Sequence, residues 1–138
     1  MSAVSGQCLC GAVRFSADNV DPEYWACHCS TCIRWSAGPF MTVACSGVSL
    51  EGQEYIVVYD SSAWADRGFC KHCGTVLYYR MKGHDGYKIN IGVFDNSSSF
   101  RMVGEIFVED KPAGFDFAGD HPRLTGAEAI KEFSLTGI

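Results

Sequence analysis

At positions 69–77 the chain reads Phe69-Cys70-Lys71-His72-Cys73-Gly74-Thr75-Val76-Leu77. A Cys-x-x-Cys pair followed by glycine is typical of a zinc knuckle, because backbone amides after the first cysteine can donate to its sulfur. The glycine permits the positive φ angle that closes such a turn. A structural zinc takes four ligands and a knuckle supplies two, so this stretch predicts a partner pair elsewhere in the chain.

The partner pair lies near the start of the chain, in Cys8-Leu9-Cys10-Gly11. Like the knuckle, it precedes a predicted strand, and two such turns facing each other would form a four-cysteine zinc site. Two redox-active pairs or buried structural thiols are the alternatives. A thioredoxin-like interpretation of Cys-x-x-Cys requires a βαβ context, which the sequence lacks. We therefore expect Cys8, Cys10, Cys70 and Cys73 to bind one zinc.

A third cluster, Cys27-His28-Cys29-Ser30-Thr31-Cys32, supplies three thiolates from six consecutive residues. Such a triplet could hold one face of a zinc ion and leave its fourth position open, which distinguishes a catalytic zinc from a structural one. Water, a substrate thiol, Cys45 or a histidine could fill that position. We expect Cys45 to be a small buried residue, since lone cysteines usually are.

The histidines carry weaker signals than the cysteines. We expect His28 to support the ligands from behind or to lie at the surface, because the flanking cysteines direct its side chain away from the metal. His72 and His84 are expected to face solvent. His121 either lines a pocket or closes a loop.

Composition places the chain among ordinary globular proteins, with 138 residues, 47% hydrophobic and 20% charged. This length predicts a single domain over residues 1–138, with the motifs in about 5–125. The net charge of −5 and the lack of any run of three basic residues disfavour a nucleic-acid-binding surface. Without a signal-peptide pattern or an apolar stretch of ~18 residues, we expect a cytoplasmic protein with no membrane partner. Reducing conditions there disfavour disulfides.

Short segments rich in β-branched and aromatic residues, separated by glycine-rich and polar turns, predict a mainly β fold with little helix. The predicted strands cover residues 12–16, 40–44, 55–59, 76–80, 87–91 and 106–109. One helical turn is predicted over 30–35. A short helix over 126–133 would have Thr125 as its N-cap and Glu128 at the capping-box position.

The three clusters, in this order, resemble the glutathione-dependent formaldehyde-activating enzyme family, whose domain is shared with centromere protein V. The resemblance rests on Cys8-Leu9-Cys10-Gly11-Ala12-Val13-Arg14-Phe15, Ala26-Cys27-His28-Cys29-Ser30-Thr31-Cys32 and the stretch at 69–77, and residues 106–112 are similar to the family's C-terminal segment. It implies a small zinc-stabilised domain of several coiled antiparallel sheets, the β-tent or Mss-four-like fold. It further implies a structural zinc on the four cysteines and a catalytic zinc on Cys27, Cys29 and Cys32.

The reaction implied by the resemblance joins glutathione and formaldehyde to S-hydroxymethylglutathione, and the family is classed as a carbon–sulfur lyase for the reverse direction. The expected partners are therefore a small-molecule thiol and an aldehyde, with two zinc ions as cofactors and glutathione as co-substrate. The chain departs from many members at Glu105, where they have histidine, at Gly114, where they have tryptophan, and at Ile33-Arg34-Trp35, which replaces a basic pair. These departures could reshape the substrate pocket.

Three thiolates donate much charge to a zinc and weaken it as a Lewis acid, so we expect thiol capture rather than strong carbonyl polarisation. Glutathione is anionic, and Arg34 and Arg67 are the candidates to bind it. Two other functions remain open at this point. One is a non-catalytic zinc β-module that binds a protein or a thiol metabolite, and the other is a zinc or thiol stress sensor.

Overall fold

The structure is a computed structural model that describes residues 4–133. These residues form ten strands and two α-helices. The strands are β1 Val4–Gln7, β2 Arg14–Val20, β3 Glu23–Cys27, β4 Phe40–Glu51, β5 Ile56–Asp60, β6 Ala65–Cys70, β7 Val76–Met81, β8 Tyr87–Asn90, β9 Arg101–Ile106 and β10 Arg123–Leu124. The helices are α1 Ser30–Ser36 and α2 Gly126–Phe133, and 3-10 turns cover Gln53–Tyr55, Ile91–Val93 and Val108–Asp110. The predicted mainly β fold with little helix is confirmed.

The strands pair in the order β10-β9-β3-β4-β8-β7-β6-β5, with β2 on β4 and β1 on β2. Strand β4 is the centre of this arrangement: its first residues pair with β3, its middle with β8 and its second half with β2. Two pairings, β3 with β9 and β9 with β10, are parallel rather than antiparallel. These strands are far apart in the chain, and a long connection permits the parallel pairing that a tight hairpin forbids.

The buried side chains form two cores. The larger one is built around β2, β4, β7 and β8, and includes Phe15, whose ring packs edge-on against Phe94 at 5.1 Å. Burying one such side chain stabilises the fold by roughly 1.5–3 kcal/mol. The smaller core consists of the three cysteines of the triplet with Phe40, Ile106 and Ala129. The triplet is thus part of a packed interior and not of a surface loop.

The predicted strand over 106–109 is wrong. Strand β9 ends at Ile106, Phe107 adopts the left-handed φ of 58°, and Val108–Asp110 form a 3-10 turn. The chain turns here so that the Phe107 ring covers the start of α2, where a Cβ on Gly126 would lie 2.5 Å from the ring. Tertiary packing overrides the β propensity of these apolar residues.

The two predicted helices are present. Helix α1 is longer than the single turn expected, and its N-cap is Cys29, whose Sγ accepts from the Cys32 amide at 3.4 Å. In front of α2 the predicted capping box is formed: Thr125 Oγ1 accepts from the Glu128 amide at 3.2 Å, and a Glu128 carboxylate oxygen accepts from the Thr125 amide at 2.9 Å.

Two cysteine clusters and the candidate active site

The β1–β2 turn and the β6–β7 turn bring Cys8, Cys10, Cys70 and Cys73 into one cluster whose Sγ atoms all lie within 4.8 Å of one another. The Sγ–Sγ distances are 3.7 Å between Cys8 and Cys10 and 3.9 Å between Cys10 and Cys70. Zinc with tetrahedral bonds of about 2.3 Å separates its sulfur ligands by about 3.8 Å. The donor set and its spacing therefore fit a closed four-thiolate zinc, and the sulfurs converge on one point rather than forming two separate pairs.

Both turns are closed by glycine, as the sequence indicated. Gly11 and Gly74 have φ angles of 79° and 76°, and their amides donate to the carbonyls of Cys8 and Cys70. The Cys8 sulfur accepts from the Val13 amide at 3.3 Å. Amide donors of this kind stabilise a thiolate over a thiol.

The second cluster joins the end of β3 to the start of α1. Cys27, Cys29 and Cys32 are 8%, 4% and 3% exposed, and their Sγ atoms lie within 4.8 Å of one another. The first turn of α1 aligns Cys29 with Cys32, while β3 delivers Cys27 to the same point. The triplet supplies three of the four ligands that zinc usually takes. Both clusters could hold a metal ion, and thiolate donors suit zinc.

The three thiols of this triplet shift one another's pKa values. Hydrogen bonds from Cys27 and Cys32 lower the pKa of Cys29 to about 3, although burial acts in the opposite direction. The contacts of Cys27 with Cys29 and Cys32, together with burial, raise the pKa of Cys27. Three thiols this close together favour capture of a cation, because metal binding releases their protons.

A cavity of about 420 Å³ lies in front of the triplet. Cys27 and Cys32 contribute to its wall, whereas none of the four cysteines of the other cluster does. The rest of the wall is mainly apolar and aromatic, with Tyr24, Trp25, Phe40, Tyr79, Ile106 and Phe133 among its residues. The triplet is therefore the cluster that borders a cavity large enough for a small molecule.

Neither arginine predicted to bind glutathione lies in the wall of this cavity. Arg34 is exposed on α1. Arg67 is 1% exposed, and its Nη1 and Nη2 atoms donate to Cys32 Sγ at 3.6 and 3.5 Å. Its guanidinium lies between the rings of Phe40 and Tyr79, at 5.8 and 5.2 Å from their centroids. Arg67 is thus placed behind a cysteine of the triplet, away from the space that a substrate would fill.

Lys88 is the basic residue that the sequence reasoning missed. Among residues 4–133 it is the only basic side chain in the wall, where Asp21 and Glu23 supply acidic groups. Lys88 is exposed to the cavity, but the surrounding protein still removes part of its hydration and lowers its pKa, against the raising effect of Cys27 and Cys32. Because successive side chains of a strand point to opposite faces, an apolar Ile89 that faces the core predicts that Lys88 points to the opposite face of β8. Only the folded sheet shows that this face borders the triplet.

Behind the triplet, the buried carboxylate of Glu105 binds two histidines. His28 Nε2 donates to Oε1 at 2.8 Å, His121 Nε2 donates to Oε2 at 2.5 Å, and Arg123 Nε forms an ion pair with Oε2 at 3.1 Å. Burial raises the pKa of Glu105, but the hydrogen bonds from His121 and His28 outweigh it and hold the pKa below its usual range. His28 is fully buried, so it does not lie at the surface, and both histidines hydrogen-bond the same carboxylate.

The remaining candidates lie where the sequence indicated. His72 and His84 are exposed, and the ring of His72 contacts Tyr55 at 4.6 Å. Cys45 is buried in the larger core and belongs to neither cluster. Burial raises the pKa of its thiol to about 11, as expected of a small buried cysteine. No helix within residues 4–133 is long and apolar enough to cross a membrane.

Known proteins resemble this chain in both sequence and structure. An uncharacterized lyase of Schizosaccharomyces pombe is 35% identical over 133 residues, which cover 95% of this chain and 97% of that protein. A Halomonas elongata protein provisionally named a glutathione-dependent formaldehyde-activating enzyme is 28% identical over 85 residues, 54% of each chain. A crystal structure of a Rhodobacter sphaeroides protein shares the fold, with a TM-score of 0.57 at 19% identity over 86% of this chain and 98% of that one.

The family model described as glutathione-dependent formaldehyde-activating enzyme matches residues 3–110. This range contains all seven clustered cysteines, Lys88, Arg67 and Glu105. The match spans most of the chain and includes the seven cysteines that the fold gathers into two clusters. The chain therefore belongs to the glutathione-dependent formaldehyde-activating enzyme family.

Proposed function

We propose that the protein is a zinc-dependent carbon–sulfur lyase that forms and cleaves the adduct of glutathione with formaldehyde, or of a related thiol with an aldehyde. The observation that carries the proposal is an incomplete thiolate set in the wall of a cavity. Cys27 and Cys32 border that cavity, whereas the complete four-cysteine set lies apart from it. A metal ligand set with an open position facing a cavity is typical of catalytic zinc.

The seven clustered cysteines divide into two roles in this proposal. Cys8, Cys10, Cys70 and Cys73 hold a structural zinc, because four thiolates close the coordination sphere. Cys27, Cys29 and Cys32 hold the catalytic zinc. Zinc bound there would take the thiol of the substrate as a thiolate in its fourth position, since a soft ligand set favours sulfur.

Residues of the cavity wall would bind the rest of the substrate. Glutathione carries two carboxylates, and Lys88 offers the positive charge that one of them needs. The aromatic wall, with Trp25 and Tyr79, keeps water away from the reacting atoms, and a charge–charge contact strengthens where water is excluded. Lys88 replaces Arg34 and Arg67 as the proposed anchor.

The chemistry that the site must perform is small and involves no redox change. The thiol loses its proton, its sulfur forms a bond to the aldehyde carbon, and the former carbonyl oxygen takes a proton to become a hydroxyl. The lyase direction reverses these steps. Because the addition also proceeds unaided, the chain's main contribution is to hold an ionised sulfur and an aldehyde in one cavity.

Exchange NMR with carbon-13-labelled formaldehyde tests this function, because it measures the interconversion of formaldehyde and S-hydroxymethylglutathione at equilibrium. The zinc-loaded protein should speed the exchange above the spontaneous rate. Cys29→Ser should return it to that rate, whereas Cys45→Ser, which removes a buried cysteine outside both clusters, should leave it unchanged. Exchange at the spontaneous rate with the unsubstituted protein, in spite of tight glutathione binding, would instead indicate a binding module.

A further inference from the structure

Arg67 is a buried charge that has no carboxylate partner. Its side chain is 1% exposed, yet none of the ion pairs found in residues 4–133 includes it. Burying a charge without a partner of opposite sign is strongly unfavourable. A guanidinium remains charged in proteins, so Arg67 cannot avoid this cost by losing its proton. The fold must therefore supply negative charge in another form.

The atom that Arg67 contacts is the sulfur of Cys32, which would carry negative charge as a metal-bound thiolate. Nη1 and Nη2 both point to its Sγ, at 3.6 and 3.5 Å, in a forked contact that a lysine could not make. Phe40 and Tyr79 lie against the guanidinium and hold its plane in this orientation. Strand β6 fixes the backbone, because Arg67 pairs with Tyr59 on one side and Tyr79 on the other. The contact is thus built into the sheet and not an adventitious surface pairing.

A count of charges shows what this contact changes. A divalent cation with the three thiolates of Cys27, Cys29 and Cys32 carries a net charge of −1, and an anionic fourth ligand would bring it to −2. Such a charge is hard to hold in a buried site where water cannot screen it. The guanidinium reduces it by one. The four-cysteine cluster needs no such partner, because Cys10 is exposed to water.

We propose that Arg67 is a positioning residue that balances the charge of the triplet and thereby lets it hold an anionic fourth ligand, the thiolate of the substrate. The inference rests on the proposed metal site at Cys27, Cys29 and Cys32. Hydrogen bonds to a metal-bound sulfur also reduce the charge that the sulfur donates. Arg67 therefore acts through Cys32, and its loss should weaken thiol binding more than metal binding.

The test uses protein with cobalt at the triplet, because thiolate-to-cobalt charge-transfer absorption reports thiol binding directly. The probe is 2-mercaptoethanol, which has no carboxylate and so excludes any effect of substrate anchoring by Lys88. Arg67→Met should weaken binding of this thiol by about ten- to a hundred-fold, the range in which groups that contact metal ligands act. Arg67→Lys retains the charge and should lose less. Lys88→Met should weaken binding of glutathione but not of 2-mercaptoethanol.

Arg80→Met is the matched control, because it removes an arginine that stacks on Tyr87 on the neighbouring strand without contacting the triplet. It should bind the thiol as the unsubstituted protein does. If Arg67→Met does not fold, Arg67→Gln takes its place, since it is neutral but keeps a hydrogen-bond donor. A neutral variant that folds and binds 2-mercaptoethanol as tightly as the unsubstituted protein overturns the proposal. That result would leave the proposed lyase function standing. Formaldehyde exchange at only the spontaneous rate in the unsubstituted protein would contradict the lyase function but not the role of Arg67 in thiol binding.

Discussion

Lys88 gives the cavity wall its positive charge, and the pKa of this lysine is lowered by its partial desolvation. A lysine loses its charge as pH rises through its pKa, so the anchor for a substrate carboxylate should fail at a lower pH than an ordinary lysine would. We predict that Lys88→Met raises the KM for glutathione about tenfold, which corresponds to about 1.4 kcal/mol. In the unsubstituted protein the KM for glutathione should rise at alkaline pH as Lys88 loses its charge, and Lys88→Met should remove this rise.

The measurement is the pH profile of KM and kcat for formaldehyde exchange. Lys82→Met serves as the control, because Lys82 pairs with Asp60 outside the cavity. A Lys88→Met protein with an unchanged KM across the pH range would show that the cavity does not use this charge.

Glu105 is the residue that ties the triplet to the C-terminal segment. Its pKa is held below the usual carboxyl range, so its contribution to stability is present above that range and is lost as pH falls through the lowered pKa. Glu105→Gln removes a buried acceptor of His28 and His121. We predict a loss of about 1–3 kcal/mol in the free energy of unfolding at neutral pH, because buried donors are left without a charged partner.

Urea unfolding at neutral and acidic pH checks this prediction. The difference between Glu105→Gln and the unsubstituted protein should shrink as the pH is lowered. Glu23→Gln, which removes an exposed carboxylate that contacts Arg101, should change the unfolding free energy by less than about 1 kcal/mol. Equal effects of the two substitutions would mean that the buried cluster adds nothing beyond a surface pair.

At the scale of elements, α2 supports one wall of the cavity. Its last residue, Phe133, lies in that wall and packs edge-on against Trp25 at 5.2 Å. The helix is only eight residues long, too short to be stable alone, so packing and the capping box in front of it both contribute to its stability. Thr125→Ala should cost about 1 kcal/mol of helix stability.

Hydrogen exchange of the α2 amides measures this effect. In Thr125→Ala these amides should exchange faster than the amides of β4. Thr125→Ser keeps the hydroxyl that accepts from Glu128 and should restore slow exchange. Unchanged exchange in Thr125→Ala would show that packing of α2, and not its cap, holds this wall in place.

The sequence predicted those elements whose local signals agree with their packing. The capping box of α2 and the glycine-closed cysteine turns are of this kind. Strands β3 and β6 carried no such signal, because Glu23, Asp66 and Gly68 interrupt their apolar pattern. After Ile106 the local signal predicted a strand that is not formed, because the apolar residues there cover α2 instead.

The candidate site divides in the same way. Cysteine spacing predicted the two pairs and the triplet, because a turn of fixed length determines where two sulfurs meet. The joining of the two pairs was predicted from the four ligands that a structural zinc requires. The positions of Arg67 and Lys88 depend on which faces of β6 and β8 meet the triplet, and this follows from sheet pairing between distant segments. A single sequence does not contain that information. This is why the two arginines were predicted as glutathione-binding residues and Lys88 was not.

For the whole molecule, the four-cysteine cluster joins the β1–β2 turn to the β6–β7 turn, some sixty residues later in the chain. Zinc binding energy at such a site is folding energy. We predict that Cys73→Ser loses one zinc and several kcal/mol of stability, whereas Cys29→Ser loses metal and activity but keeps the β fold.

Zinc content and thermal unfolding of the two variants test this division of roles. If Cys29→Ser unfolds as readily as Cys73→Ser, the separation into a structural and a catalytic metal is wrong. The organisation of residues 1–138 as a single domain stays a prediction, as does the placing of the protein in the cytoplasm.

X-ray absorption at the cobalt edge tests the central claim most directly, namely that the triplet takes the substrate thiol as its fourth ligand. In protein with cobalt at the triplet and zinc at the four-cysteine cluster, the signal comes from the proposed active site alone. Without glutathione the cobalt should have three sulfur neighbours, from Cys27, Cys29 and Cys32. With saturating glutathione we predict four sulfurs, and a count that stays at three under conditions of full activity would contradict the account.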